Sequence, residues 1–352
     1  LRCQVAISSR MHLLALNELP SLNTHFDNPL VEQRELLAGS RVVLIDDKSV
    51  IRVTGEDRLA WLNAMLSQNV ANLKSGDSAE GLLLDAQGRI ENSVHVVEGI
   101  DETYLIVARD NFEKLLKWLD QMIFRSKVSV EASDFRVIAS FGGGLSDLVW
   151  RDAWGSEPVG SVRYADHIGE TWHYFESLVT QEKLDEILAS SQQAGSLALE
   201  ALRVAAHRPA QPNELDEKTL PHELDWLSSA VHLSKGCYRG QESVAKVHNL
   251  GHPPRRLVLL HLDGSGHALA AAGDQVFVSG TDNAVGRITS IGQHFELGPI
   301  ALAVISRNVD EKASLFVRSE FGEIAANQET IVPPTAGMAA NLAEKRKNLL
   351  GR

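Results

Sequence analysis

The sequence predicts an α+β protein made of two related α+β lobes and a small C-terminal β-barrel. Three observations carry the prediction. Between Val42 and Ile123 strand-like alternation and helical spacing mix without the regular strand–helix succession of a parallel sheet. The same strand–helix–strand order recurs more weakly between Phe135 and Val204. Beyond Gly251 the pattern changes to short strands separated by Gly-, Asp- and Asn-containing turns. A chain of 352 residues exceeds one ordinary domain. We divide it into a first lobe with an N-terminal extension (1–130), a second lobe (131–250), the barrel (251–335) and a tail (336–352).

In the first lobe, Arg41–Ile45 and Ser49–Val53 alternate as strands, and Thr54-Gly55-Glu56-Asp57 supplies a turn or helix cap. Leu59, Leu62, Met65 and Leu66 then recur at helical spacing. Gly81–Asp85 and Ile90–Val97 read as strands about the turn Ala86-Gln87-Gly88-Arg89. Thr103–Val107 is a further strand, and Phe112–Ile123 an amphipathic helix. In the second lobe, strands are expected at Phe135–Phe141 and Thr171–Leu178, with helices at Gln181–Gln193 and Ser196–Val204. Pro209–Pro221 reads as a polar surface loop, and Glu242–Val247 as a strand more than a helix. Barrel strands are expected at Arg256–Leu262, Gln275–Val278, Val285–Ile291, Ile300–Ile305 and Ala313–Arg318.

Asp and Glu outnumber Lys and Arg by 46 to 34, a net charge of -12 that opposes nonspecific attraction to nucleic acid and anionic membranes. No apolar run approaches the roughly 18 residues that cross a bilayer. Two cysteines cannot build a disulfide framework. A cytoplasmic protein, a monomer without nucleic-acid or membrane partners, is the expectation.

The segment Lys235-Gly236-Cys237-Tyr238-Arg239-Gly240-Gln241-Glu242 concentrates a thiol, an aromatic ring and several polar groups. Flanking cations favour a thiolate, and glycines on both sides let the backbone present it. The same residues also suit a small buried thiol between two turn glycines. Arg255-Arg256 marks a place for an anionic small ligand, or an ordinary solvated turn. No metal site is expected: His248 and His252 are four apart and His261 follows, but the Gly251 to Pro254 turn breaks any helix that would align them. Phe141-Gly142-Gly143-Gly144 lacks the Lys-Ser/Thr ending of a phosphate-binding loop.

The KGCYxGQE pattern of Lys235–Glu242 resembles that of the YgfZ/CAF17-like folate-binding proteins of iron–sulfur cluster maturation, relatives of the glycine-cleavage aminomethyltransferase. Supporting similarity extends from about Leu44 to Val317 and includes Val53–Arg58, Leu83–Ile90 and Asp216–Pro221. The resemblance implies three domains in a ring around a central cavity, with tetrahydrofolate or a derivative as ligand. It implies iron–sulfur enzymes or cluster-assembly proteins as transient partners. Cys237 becomes the candidate catalytic residue at the cavity mouth. Lys235, Tyr238, Arg239, Gln241, Glu223 and Asn92 become candidate folate contacts, and Lys246, Arg255 and Arg256 a cationic rim for the anionic glutamate tail.

Two departures separate the chain from the aminomethyltransferases. Asn92-Ser93 stands where those enzymes carry paired aspartates, and neither side chain accepts a proton as a carboxylate does. Asp85 or Glu91, close in sequence, could fill that vacancy; Ala205 stands where relatives place a glutamate against the pterin, with Glu223 as a partial substitute. Three functions follow as alternatives: a folate-dependent iron–sulfur accessory factor, a tetrahydrofolate-dependent aminomethyltransferase, and a scaffold that has lost folate.

Overall fold

The computed structural model describes residues 24–156, 158–265 and 269–339. Cys3 and the charged tail from 340 lie outside the described residues. In chain order the elements are α1 (Pro29–Leu37), β1 (Arg41–Ile45), β2 (Lys48–Thr54), α2 (Arg58–Met65), β3 (Ser78–Leu84), β4 (Ile90–Glu98), β5 (Glu102–Ala108), α3 (Phe112–Gln121) and β6 (Ser129–Ser133). There follow β7 (Arg136–Ser140), β8 (Val149–Arg151), β9 (Phe175–Val179), α4 (Gln181–Ser190), β10 (Gln192–Gln193), α5 (Ser196–Ala205) and α6 (Gln241–Leu250). The last part holds β11 (Arg255–Leu262), β12 (Gln275–Val278), β13 (Ala284–His294), β14 (Gly298–Ser306), β15 (Leu315–Ser319) and β16 (Gly322–Thr330).

Two five-stranded sheets and one closed barrel result, the α+β architecture expected from the sequence. The first sheet runs β3-β4-β5-β2-β6 and is antiparallel throughout. Leu62 on α2, with Leu115 and Leu119 on α3, packs on it against Ile51, Val94 and Leu105. The second sheet runs β10-β1-β7-β9-β8. Strand β1 therefore belongs to the sheet of the second lobe, whereas β6, just before β7 in sequence, closes the edge of the first. The barrel closes in the order β11-β14-β13-β12-β15-β16.

Helix α5 joins the parts. Ala198 and Leu202 face the core of the second lobe, while Val204 and Ala205 enter a core shared with the barrel. The barrel strand β13 approaches this helix so closely that a Cβ on Gly292 would lie 2.6 Å from Ala201 Cα, which explains the glycine.

Three local expectations change. Glu242–Val247 is not a strand but the body of α6. Its alternation is too short to separate the two periods, and Gly240 at φ 84° turns the chain into the helix. The 209–221 segment is not a surface loop throughout: Pro209, Glu214 and Thr219 are buried, because the segment threads between the lobes and the barrel. Helix α1 and strands β6, β8, β10 and β16 were not expected, and β10 takes the end of the helix expected over Gln181–Gln193. In β16 the exposed Glu323, Ala325 and Asn327 alternate with Ile324, Ala326 and Gln328, but the small and polar side chains on both faces make the alternation too weak to read as a strand.

Candidate functional site

A cavity of about 470 Å³ opens where the lobes and barrel meet. Every part contributes: Glu80, Ser93 and His95 from the first sheet, Trp150, Tyr174 and Glu176 from the second, Glu200 and Arg203 from α5, and Thr289 to Ile291 from β13. Ser93 and His95 both reach it because residues two apart on β4 share a face. Trp150, Trp172, Tyr174 and Trp226 supply aromatic wall. The His95 ring stacks on Trp150 with centroids 3.6 Å apart and planes 8° from parallel.

Charges in this wall are closely matched. Glu80 is almost fully buried and accepts from Arg208 at 2.7 Å, Trp226 Nε1 at 2.9 Å and Ser229 Oγ at 2.8 Å. Burial pushes its carboxyl pKa up, but the charges of Arg208 and His95 and these hydrogen bonds more than offset that, so it stays below the ordinary value. Glu176 is held low in the same way, burial being outweighed by Lys48 and His95. Its carboxylate can only accept, so the 2.8 Å contact places the His95 proton on Nδ1. Tyr174 donates to Glu176 at 2.9 Å. Arg203 is bound by Glu200, Glu214 and Ser290.

Asp47 differs from these groups. It lines the cavity as an exposed residue, and a backbone amide hydrogen bond is among the influences on its carboxylate. Desolvation raises its pKa, with Lys48 opposing and Glu176 reinforcing the rise. Asp47 is thus a carboxyl prepared to meet N–H donors of a ligand.

None of the ten sequence-derived site residues lines this cavity. Of the Asn92-Ser93 pair, the neutral Ser93 faces it. Asp85 does not fill the vacancy: its Oδ1 accepts from the amides of Gln87 and Arg89, both at 2.8 Å, and so holds the β3–β4 turn. Glu91 is paired with Arg239 at 2.8 Å. Arg255 and Glu223 bind one another at 2.8 Å, with Asp216 taking the other edge of the guanidinium at 2.5 Å. Arg256, one residue on, points to the opposite face with Val258 and Leu260 and is fully buried in the barrel, against Val309 O at 3.1 Å and Gln328 at 2.9 Å. Lys246 is exposed on α6. The rim of Lys246, Arg255 and Arg256 is therefore not assembled, because adjacent strand residues diverge and Arg255 is neutralised internally.

The Lys235–Glu242 segment packs instead on the β3–β4 turn. A Cβ at Gly240 would lie 2.5 Å from Asp85 O, and one at Gly88 would lie 3.1 Å from Ser243 Cβ. The two stretches that carry the family resemblance thus meet in space. Lys235 Nζ donates to the carbonyls of Asn63 (2.6 Å), Leu66 (2.7 Å) and Gln68 (2.8 Å), and lies 5.3 Å from the Tyr238 ring centroid. Tyr238 is buried, and Gln241 Nε2 donates to Lys235 O at 3.2 Å. The cations expected to favour a thiolate are engaged elsewhere. Cys237 is exposed, presented on a loop whose other polar groups mostly hold the fold.

The cavity carboxylates were missed in the sequence. A signal existed: Glu80 and Glu176 are the only charged residues in strands that otherwise hold apolar residues, glycine and serine, the mark of a buried charge.

No family model matches the chain. It is 23% identical over 310 residues to the tRNA-modifying protein YgfZ of Aliivibrio fischeri, spanning 86% of this chain and 96% of that one. It is 27% identical over 247 residues to the mitochondrial iron-sulfur cluster assembly factor IBA57 homolog of Coccidioides immitis, spanning 62% of this chain and 56% of the relative. In structure it is similar to the glycine cleavage system aminomethyltransferase T from Bartonella henselae, with a TM-score of 0.67 and 20% identity over 88% of this chain and 90% of that one. The chain therefore resembles YgfZ and IBA57 proteins in sequence over most of its length, on the fold of the glycine-cleavage aminomethyltransferase.

Proposed function

We propose that the protein is a folate-binding accessory factor that supports assembly or repair of iron–sulfur enzymes. The observation that carries the ligand is the central cavity: its volume of about 470 Å³, its aromatic walls and the Asp47 carboxylate on its lining suit a flat heterocycle that presents N–H donors. The pterin of a reduced folate is such a group, with an amino group and a ring N–H to meet Asp47. The relatives named for iron–sulfur cluster assembly support the role. Cys237 is the residue through which the protein acts on its partners, since its loop exposes the thiol while Lys235, Tyr238 and Gln241 anchor it from beneath.

Because Trp150, Trp172 and Trp226 line the cavity, intrinsic fluorescence reports occupancy. Tetrahydrofolate and 5-formyltetrahydrofolate are expected to quench it saturably, and Asp47→Asn to weaken binding about tenfold, the loss of one charge-assisted contact. Absence of saturable quenching at millimolar folate would favour a scaffold that has lost the ligand. In cells lacking the protein, activity of iron–sulfur enzymes should fall and be restored by the intact chain but not by Cys237→Ser.

A further inference from the structure

Away from the cavity, a group of imidazoles gathers at the seam between the second lobe and the barrel. His207 follows α5, His167 lies on the segment before β9, His261 is on β11 and Glu329 is on β16. In the β11–β16 ladder Leu259 is opposite Glu329 and His261 opposite Asn327, so His261 and Glu329 are diagonal neighbours on one face. Glu329 Oε1 lies 3.5 Å from His167 Nε2 and 3.7 Å from His207 Nε2. Its other oxygen lies 3.1 Å from His261 Nε2.

His207 is the informative member. It is 1% exposed, its Nδ1 has no hydrogen-bond partner, and its backbone is held at φ 59°, a conformation uncommon for a side chain of this size. An ordinary buried histidine satisfies its ring nitrogens; this one is held beside a second histidine, ring centroids 5.5 Å apart, and a carboxylate.

We propose that His167, His207 and Glu329 form a binding site for a divalent first-row transition metal of the zinc type, with His261 positioning the Glu329 carboxylate. Potential ligand atoms of the three residues all lie within 4.8 Å of one another. Zinc bonds of about 2.0–2.1 Å set tetrahedral edges of about 3.3 Å, which the observed 3.5 and 3.7 Å separations approach within a few tenths. Two nitrogens and a carboxylate oxygen are a borderline-soft donor set, suited to zinc or cobalt more than to magnesium or calcium. Metal at His167 Nε2 moves that ring's proton to Nδ1, displacing a long 3.4 Å bond from the Gly169 amide. Three protein ligands leave one position for water or another small donor. Because the ligands come from the lobe and the barrel, the ion would clamp the two together. The site is independent of the folate reading.

The test uses the whole chain, stripped with chelator and titrated with zinc and with cobalt. One equivalent is expected to bind, with the visible absorption of tetrahedral cobalt and a rise in Tm on adding zinc. Glu329→Gln and the exposed-residue variant His167→Ala should each abolish both signals while circular dichroism stays native. His261→Ala should weaken affinity about tenfold. Lack of stoichiometric binding by the intact protein, or binding and a Tm rise that persist in both Glu329→Gln and His167→Ala, would overturn the proposal.

Discussion

The Lys235 ammonium caps the C-terminal end of α2, 2.7 Å from the carbonyl oxygen of Leu66. Two more carbonyls, of Asn63 and Gln68, complete its donors. Carbonyls at a helix end have no intrahelical partner and carry the negative pole of the helix, so a buried cation there meets both needs. Burial lowers the Lys235 pKa to about 8, and the group remains charged at neutral pH. The lysine of the motif thus ties the Cys237 loop to the first lobe.

Lys235→Ala is therefore expected to destabilise the protein by about 2–3 kcal/mol, since it leaves buried carbonyls without a donor. Urea unfolding should show a lower midpoint with little change in slope. An unchanged midpoint would mean that the contact contributes nothing to stability and that the lysine is free for a ligand.

Stability should fall in acid, and Glu176 should account for part of the fall. Its folded carboxyl pKa lies below the ordinary 4.5, burial being outweighed by Lys48 and His95. A depressed acid contributes stability that is complete above the unfolded value and is lost as pH drops from there toward the folded one. Unfolding midpoints should hold near neutrality and decline below about pH 4.5. Glu176→Gln should cost about 3 kcal/mol at pH 7, by leaving Lys48 without its buried partner, and should flatten the acid limb. Equal acid limbs in the two proteins would remove Glu176 from this account.

Cys237 should be labelled by iodoacetamide in the native protein at a rate within a few-fold of that in urea, because the side chain is exposed. Mass spectrometry of the labelled peptide measures both rates. Cys237→Ser should leave the unfolding midpoint within about 0.5 kcal/mol of the parent, as exposed substitutions do. Native labelling that requires unfolding would contradict the exposed loop.

Aminomethyl transfer should be negligible. Ser93, not a carboxylate, faces the cavity from β4, and Asp85 is consumed by its turn. A reacting amine then lacks the group that would orient it, and misplacement by about an ångström costs roughly a hundredfold in rate. Tetrahydrofolate-dependent ammonia release from an aminomethylated lipoyl carrier measures this directly. Turnover near that of an aminomethyltransferase would show Asp47 or Glu80 acting in the missing role.

The fold was largely legible because its periods are strong. Phe112, Leu115 and Leu119 recur as one helix face, and the barrel strands are set apart by turn residues. Strands fail to show where their inward face is small or polar, as at Ala326 and Gln328. The candidate site was less legible for a different reason. Motif spacing marks residues that stay together in sequence, and those of Lys235–Glu242 are largely spent on one another and on the β3–β4 turn. The cavity draws Asp47, Glu80, His95, Trp150 and Glu176 from five strands or strand ends, and no local pattern announces such a meeting. The same holds for His167, His207 and Glu329, which join only across the seam.

The exchange of β1 and β6 between the sheets bears on how the chain is made. When a ribosome has released the first half of the lobes, β1 has emerged without β7, its antiparallel neighbour, while β2 still awaits β6. The first sheet is closed once β6 has been made at Ser133, but β1, made before all of it, waits for β7 and its sheet is not finished until Gln193. The lobes are laced like a shoe, and no cut between them releases two intact halves.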